Sequence, residues 1–154
     1  MLGIDPATII SGYGIIIKQD GKSKLIDYGY LKLKSKDPLS KRVGQFYKFF
    51  KDKIEKYNVT DIATETPFLG KNASTFMKLG YIRGIIYLLT DERKLNLHEF
   101  SPSKVKSSVT GYGNASKEQV ANMMHKFFPG IKIEKDDTTD ALAVALCGLI
   151  IRPV

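Results

Sequence analysis

Four acidic residues have the type and the position to bind a divalent cation. Asp5 follows the apolar run 2–4, and Glu65 ends a second apolar segment. Asp137 and Asp140 stand three residues apart, just before the last apolar segment, and this spacing puts both carboxylates on one face of a helix. Because clustered carboxylates repel one another, a tight group requires a cation. Their oxygens are the hard ligands that Mg²⁺ prefers.

Each of these acids also has an ordinary structural explanation. Asp137 and Asp140 can cap a helix and interact with its dipole, and for this pair alone capping is as good an interpretation as metal binding. Glu65 can be an exposed carboxylate at a strand end, and Asp5 with Pro6 can form a turn. The joint occurrence of all four acids, in a matching motif context, favours the metal site.

The charge balance points to a polyanionic partner. The chain has 24 Lys and Arg against 16 Asp and Glu, a net charge of +8, and the basic excess lies mainly in 18–56 and 104–126. Such an excess marks either an ordinary basic surface or a face that binds a polyanion, and charge alone does not separate the two. An acidic metal pocket in a basic body indicates chemistry on a phosphate backbone.

The length of 154 residues predicts one domain, 1–154, around a single core. No apolar run approaches the ~20 residues that span a bilayer, and the first residues lack the basic-then-apolar pattern of a signal peptide. The single cysteine, Cys147, excludes an internal disulfide and a cysteine-rich zinc site, and its apolar neighbours predict a buried structural thiol. We therefore expect a cytoplasmic protein with no membrane partner.

Hydrophobic periodicity predicts an alternation of strands and helices. In chain order the predicted elements are strands at 2–4, 12–18 and 25–33, a helix from Ser40, a strand at 59–65, a helix from Asn72 or Ser74 to Leu89, and a strand at 94–100. Asp20 and Gly21 give the turn signal between the second and third strands.

Further helices are predicted in the last third of the chain. Ser101 before Pro102 has the pattern of an N-cap followed by proline, and Ser116 with Gln119 resembles a capping box. The last helix begins near Asp137.

This order of elements predicts an α/β, ribonuclease H-like fold. Its five-stranded mixed sheet has three antiparallel strands followed by two parallel ones, and helices flank it. In that layout the first and fourth strands are parallel neighbours at the sheet centre, so Asp5 and Glu65 lie side by side. Ligand sites of open α/β sheets gather at this edge.

The motifs, taken in order, identify a family. Over nearly its full length the chain resembles RuvC-type Holliday junction resolvases, the crossover junction endodeoxyribonucleases. The matching segments are Gly3-Ile4-Asp5-Pro6; Gly12-Tyr13-Gly14; Glu65 with Phe68, Asn72 and Ser74; Leu79-Gly80; Arg83-Gly84; Pro102 with Val105-Lys106; Gly111 and Gly113; Lys117 with Gln119-Val120; and Asp137 to Ala143.

The resemblance implies roles for individual residues. Asp5, Glu65, Asp137 and Asp140 correspond to the catalytic, metal-binding carboxylates of the family. The basic residues near the scissile backbone correspond to Lys106 and Lys117, and Phe68 to an aromatic that stacks on a base. The DNA-binding set then comprises Phe68, Lys71, Asn72, Ser74, Arg83, Lys104, Lys106 and Lys117.

The same resemblance implies an activity and its partners. The family resolves four-way DNA junctions by paired symmetric nicks in recombination and repair, using two Mg²⁺ ions per active site, with Mn²⁺ as a substitute. It also implies a homodimer and association with a RuvA/RuvB-like branch-migration complex. The helix from Asn72 has an apolar face too wide for one sheet, and Gly80 and Gly84 would allow a partner helix to approach closely. A C2 dimer suits a two-fold symmetric junction.

Other functions remain open at this stage. An RNA–DNA hybrid hydrolase shares the carboxylate layout, and a catalytically dead junction-binding module shares the fold. An actin-like ATPase or sugar kinase also has an acidic residue and glycines after its first strand, but it needs two such domains and a longer chain. Ala7 stands where the family has glycine, so the turn after Asp5 must tolerate a Cβ.

Overall fold

The computed structural model describes residues 1–67 and 72–151. The strands are β1 (Leu2–Asp5), β2 (Ile10–Gln19), β3 (Lys22–Lys32), β4 (Asp61–Glu65) and β5 (Asn96–Phe100). The helices are α1 (Leu39–Lys56), α2 (Ala73–Glu92), α3 (Pro102–Thr110), α4 (Lys117–Phe127) and α5 (Asp136–Ile151). The predicted order of elements is confirmed.

Some boundaries differ from the predictions. The third strand begins at Lys22, three residues earlier than expected, because the turn occupies only Asp20 and Gly21. Both have positive φ, 51° and 75°, so the strands pair up to Gln19 opposite Lys22. The fourth strand begins at residue 61, not 59, and α2 continues three residues beyond Leu89 through a polar last turn that the apolar pattern does not mark.

The sheet order is β3-β2-β1-β4-β5. The β1–β2 and β2–β3 pairs are antiparallel, whereas β1–β4 and β4–β5 are parallel. The predicted five-stranded mixed sheet is therefore confirmed, with β1 and β4 as parallel neighbours at its centre. Because Ile4 pairs with Thr64, the next residues of the two strands, Asp5 and Glu65, reach the same edge of the sheet.

Helices cover both faces of the sheet. On one face α1 and α2 pack through the side chains Phe46, Phe50, Ile54, Ile82, Ile86 and Leu89. On the other face α5 packs against the sheet, and α3 and α4 cover α5. Among the described helices, none is long and apolar enough to cross a membrane.

Helix α5 is buried along most of its length. Every residue from 141 to 148 is buried, as expected for a helix that is apolar on all sides. Cys147 belongs to this stretch, so the predicted buried thiol is confirmed. The approach of α5 to β1 requires glycine, since a Cβ on Gly3 would lie 2.1 Å from the carbonyl oxygen of Ala141.

Candidate active site

Strand alternation directs the two strand-end acids toward α5. Leu2 and Ile4 pack with α1 and α2, whereas Gly3 contacts α5. Because successive side chains point to opposite faces of a sheet, Asp5 lies on the α5 side. In β4 the same alternation holds, since the residue two before Glu65 packs in the α5 core.

The first turn of α5 brings the other two acids to the same edge. Asp137 and Asp140 stand three positions apart in a helix that begins at residue 136, so they share a face. Gly12 pairs directly with Asp5, and a Cβ on Gly12 would lie 1.8 Å from the carbonyl oxygen of Asp137. The sequence reasoning did not assign Gly12 this role, although glycine inside a strand is a known signal of close backbone approach.

The electrostatics show that the four carboxylates share one environment. Burial, and then the charges of Asp140, Asp137 and Glu65, raise the pKa of Asp5 to about 7. The pKa of Glu65 is raised by burial and by Asp140. Burial is also the main cause that raises the pKa of Asp140, with Asp137 and Asp136 adding to it. The structure thus brings together the four acids predicted from the sequence.

Two lysines face these acids. Lys117 Nζ lies 3.9 Å from Asp140 Oδ2, and its charge lowers the pKa values of Asp5, Glu65 and Asp140. Lys106 has the same effect on Glu65 and Asp140. A cavity of about 280 Å³ joins these groups, and it is lined by Glu65, Pro102, Val105, Lys106, Lys117, Val120, Asp140 and Ala143.

The helix caps put both lysines on this cavity. Ser101 accepts a hydrogen bond from the backbone N–H of Lys104 and begins α3. Ser116 and Gln119 form the predicted capping box, which makes Lys117 the first residue of α4. Both sequence predictions of these caps are confirmed.

The donor set fits Mg²⁺. All four acids supply hard oxygen atoms, and the raised pKa values of Asp5, Glu65 and Asp140 indicate that negative charge accumulates here without full compensation. Within the described residues, no group of three His, Cys, Asp or Glu side chains can hold a metal ion by itself. Mg²⁺ is usually held by one or two carboxylates together with water and substrate phosphates, so the oxygens of these acids suit it.

The other residues assigned to DNA have different environments. Lys104 and Ser74 are exposed. Asn72 is the N-cap of α2, because its side-chain oxygen accepts a hydrogen bond from the Thr75 N–H at 3.1 Å. Phe68 and Lys71 lie outside the described residues, so their roles stay predictions.

Arg83, which was predicted to contact DNA, is instead buried and paired within the protein. Arg83 is only 5 % exposed. The guanidinium donates to the main-chain oxygen of Glu65 at 2.6 Å and forms an ion pair with Glu99. A buried charge is tolerated only when its donors are paired, and here both acceptors belong to the protein.

The turn after Asp5 accommodates Ala7 without backbone strain. Ala7 is not among the residues with positive φ. Ser11 Oγ accepts a hydrogen bond from the Ala7 N–H at 2.9 Å and donates to the Ala7 carbonyl oxygen at 2.8 Å. A side-chain bridge therefore closes this turn.

Comparison with known proteins gives one family. The family model of crossover junction endodeoxyribonuclease RuvC matches residues 1–148. A relative of that name from Chloroherpeton thalassium is 44% identical over 149 residues, which cover 96% of this chain and 80% of the relative. One from Natranaerobius thermophilus is 37% identical, with coverages of 96% and 92%.

A solved structure agrees with this result. The structure described as T. thermophilus RuvC in complex with Holliday junction substrate has a TM-score of 0.89 and 26% identity, covering 97% of this chain and 92% of that one. The fold is thus ribonuclease H-like, as the sequence predicted. The chain belongs to the RuvC family of crossover junction endodeoxyribonucleases.

Proposed function

We propose that this protein is a structure-selective endonuclease that resolves four-way (Holliday) DNA junctions by paired symmetric nicks, in recombination and repair. One observation carries the proposal: Asp5 is half-buried within the field of three further carboxylates, in a chain of the RuvC family. The similarity to a RuvC bound to a Holliday junction substrate supports the choice of DNA structure.

The acids are proposed to hold two Mg²⁺ ions, for which Mn²⁺ can substitute. Bound there, the two ions would activate a water molecule and stabilise the leaving 3′ oxygen of an in-line displacement. Asp5 is the acid whose pKa is raised by the charges of all three others, so it is the best candidate to contact both ions. A carboxylate must be deprotonated to bind a metal ion. Since the pKa of Asp5 is about 7, metal binding near neutral pH would release a proton from Asp5.

Lys106 and Lys117 are proposed to act on the phosphate. Both line the cavity that contains Glu65 and Asp140. A phosphate entering this cavity would meet two cations beside the acids, which offsets the repulsion between the acids and the phosphate. The same cations can stabilise the charge that develops in the transition state. Exposed Lys104, on the first turn of α3, extends the basic surface away from the cavity.

The active form is proposed to be a homodimer formed through α2. One side of α2 packs on the sheet, while a stripe on the other side is open to solvent. Met77, Tyr81 and Leu88 form this stripe and are 60%, 52% and 51% exposed. Gly80 and Gly84 lie along it with nothing near their Cβ positions, so a second helix can approach closely. A C2 pair would direct two active sites at two opposed strands.

The location and the partner complex are proposed from membership of the RuvC family. We expect the dimer to act in the cytoplasm and to associate with a RuvA/RuvB-like branch-migration complex.

Cleavage of an end-labelled synthetic four-way junction tests the function. The junction, a linear duplex and an RNA–DNA hybrid are incubated with the protein and Mg²⁺. Paired symmetric nicks on the junction alone are expected. Cleavage of the hybrid alone would instead indicate a hydrolase of the same fold. Tight junction binding with no cleavage would indicate a binding module.

A further inference from the structure

Arg83 is buried against the ends of two neighbouring parallel strands. Its Nη1 donates to the main-chain oxygen of Glu65 at 2.6 Å, and its Nη2 is ion-paired with Glu99. Glu65 is the last residue of β4, and Glu99 is the penultimate residue of β5. One guanidinium therefore links α2 to the carboxyl ends of both strands.

At Glu65, strand β4 is paired on one side only. The β1–β4 pairing ends at Thr64, whereas the β4–β5 side continues, with the Thr66 N–H donating to the Phe100 carbonyl oxygen at 2.8 Å. The direction of a side chain at a strand end depends on the backbone conformation of its residue. The hydrogen bond from Arg83 restrains that backbone at Glu65 from the helical side.

The contact geometry requires an arginine. A guanidinium is a rigid planar fork that can serve two acceptors at once, whereas a lysine ammonium is a compact charge on a flexible stem. Glu99 is itself held in place, because the Tyr87 hydroxyl donates to its Oε1 at 3.0 Å. Tyr87 lies one helical turn after Arg83 on α2, so both groups that hold Glu99 come from one helix.

We propose that Arg83 is a positioning residue that fixes the Glu65 backbone, so that the Glu65 carboxylate is directed at the cavity that Glu65 lines together with Asp140. The inference rests on the proposed function, since it assigns the pocket to metal-dependent cleavage. Arg83 does not reach the DNA in this role. Its effect on the reaction passes through Glu65.

Two substitutions test the inference, with one matched control. Arg83→Lys keeps the positive charge beside Glu99 but loses the fork, and Arg83→Met removes the charge. Arg93→Met is the control, because Arg93 is also on α2, at its C-cap, and is paired with Glu55 on α1, away from the pocket. Circular dichroism and thermal unfolding establish that each variant is folded. If Arg83→Met does not fold, Arg83→Lys decides alone.

Two measurements are made on each folded variant. Calorimetric titration with Mn²⁺ reports metal affinity without any cleavage, and junction cleavage across a Mg²⁺ series reports the concentration for half-maximal rate. We expect Arg83→Lys to weaken Mn²⁺ binding and raise the Mg²⁺ requirement about tenfold, the scale of losing a residue that orients a metal ligand. Junction binding in EDTA should stay close to that of the parent, since Arg83 is buried and both of its partners are groups of the protein.

The outcomes separate the inference from the function it rests on. Parental values in Arg83→Lys for both Mn²⁺ affinity and Mg²⁺ requirement would overturn the inference. An equal loss in Arg93→Met would also overturn it, because the effect would then be a general weakening of α2. A parent that binds Mn²⁺ but cleaves no junction would refute the proposed function, while the Mn²⁺ titration would still decide the role of Arg83.

Discussion

Gly12 of β2 and Asp137 of α5 are in backbone contact, so close that a Cβ on Gly12 would lie 1.8 Å from the Asp137 carbonyl oxygen. Gly12 is also the ladder partner of Asp5. The glycine therefore sets the distance between the acid on the central strand and the pair of acids on the helix. A separation of more than 100 residues in the chain becomes direct contact in the fold.

Gly12→Ala should damage both stability and activity. The added methyl group meets backbone, which cannot rotate away, so α5 must shift. Overpacking of this kind costs about 1–3 kcal/mol and in severe cases more. We expect lower stability in urea unfolding and strongly reduced junction cleavage. Gly44→Ala is the matched control: a Cβ at Gly44 in α1 would meet nothing within 4 Å. It should stabilise the helix by about 0.5–1 kcal/mol.

The stability of the metal-free protein should fall as pH rises toward neutrality. Asp5 has a raised pKa of about 7 in the fold, against an ordinary value of 3.8. An acid whose folded pKa is raised contributes most stability below its unfolded pKa, and loses that contribution as pH rises through the folded pKa. Between about pH 5 and about pH 8 the loss from Asp5 amounts to about 2–3 kcal/mol.

Urea unfolding of the parent and of Asp5→Asn across this pH range measures the effect. The unfolding free energy of the parent, relative to that of Asp5→Asn, should fall as pH rises. Added Mg²⁺ should reduce the loss in the parent by neutralising the carboxylates. A pH-independent difference would contradict the raised pKa.

Asp5→Asn should abolish cleavage while junction binding is kept. The amide is a weaker metal ligand than a carboxylate, and it removes one negative charge that repels the phosphate. We expect a loss in cleavage rate of about 100-fold or more, with unchanged or tighter binding in a gel-shift assay. Asp52→Asn is the control, since Asp52 lies on α1 in an exposed pair with Lys48. Cleavage by Asp5→Asn at near the parental rate would remove Asp5 from the metal site.

Lys117→Met should slow cleavage and weaken the salt dependence of binding. Lys117 Nζ lies 3.9 Å from Asp140 Oδ2, and its charge partly offsets the rise in the pKa values of Asp5, Glu65 and Asp140. We expect a loss in rate of about 10–100-fold, together with a salt slope for junction binding reduced by about one phosphate contact. Lys126→Met, at the other end of α4, is the control. A parental rate and slope would return Lys117 to an ordinary surface role.

Leu88→Glu should produce a monomer. Leu88 is 51% exposed in the apolar stripe of α2, and a carboxylate there would be desolvated if a second copy covered it. Analytical ultracentrifugation should show the parent as a dimer and Leu88→Glu as a folded monomer. Ile150→Glu is the control, because Ile150 is 52% exposed on a different helix. A monomeric parent would contradict the proposed dimer directly.

Several local features could be predicted from the sequence because neighbouring residues cause them. The Asp20 and Gly21 turn, the Ser101 N-cap and the Ser116 capping box depend on contacts within four residues. The strand order followed from the arrangement of apolar segments, and it put Asp5 and Glu65 at one edge. The acids of the site were therefore accessible to sequence reasoning.

The environment of Arg83 was not accessible in this way. An arginine on a helix next to glycine gives no local signal of burial, and its motif context favoured a contact with DNA. Its partners, the Glu65 carbonyl and Glu99, come from two strands, and only the packing of α2 on the sheet brings them within reach.

The sequence by itself determined the element order, the caps and turns, and which acids stand at strand ends and at the start of the last helix. These features depend on the periodicity of apolar residues and on short-range hydrogen bonds, and both are determined by residues close together in the chain. Only the tertiary structure decided how close α5 comes to β2 at Gly12, and that Arg83 is buried beneath Glu65. Those features depend on packing between distant elements, where a single Cβ determines whether two backbones can touch.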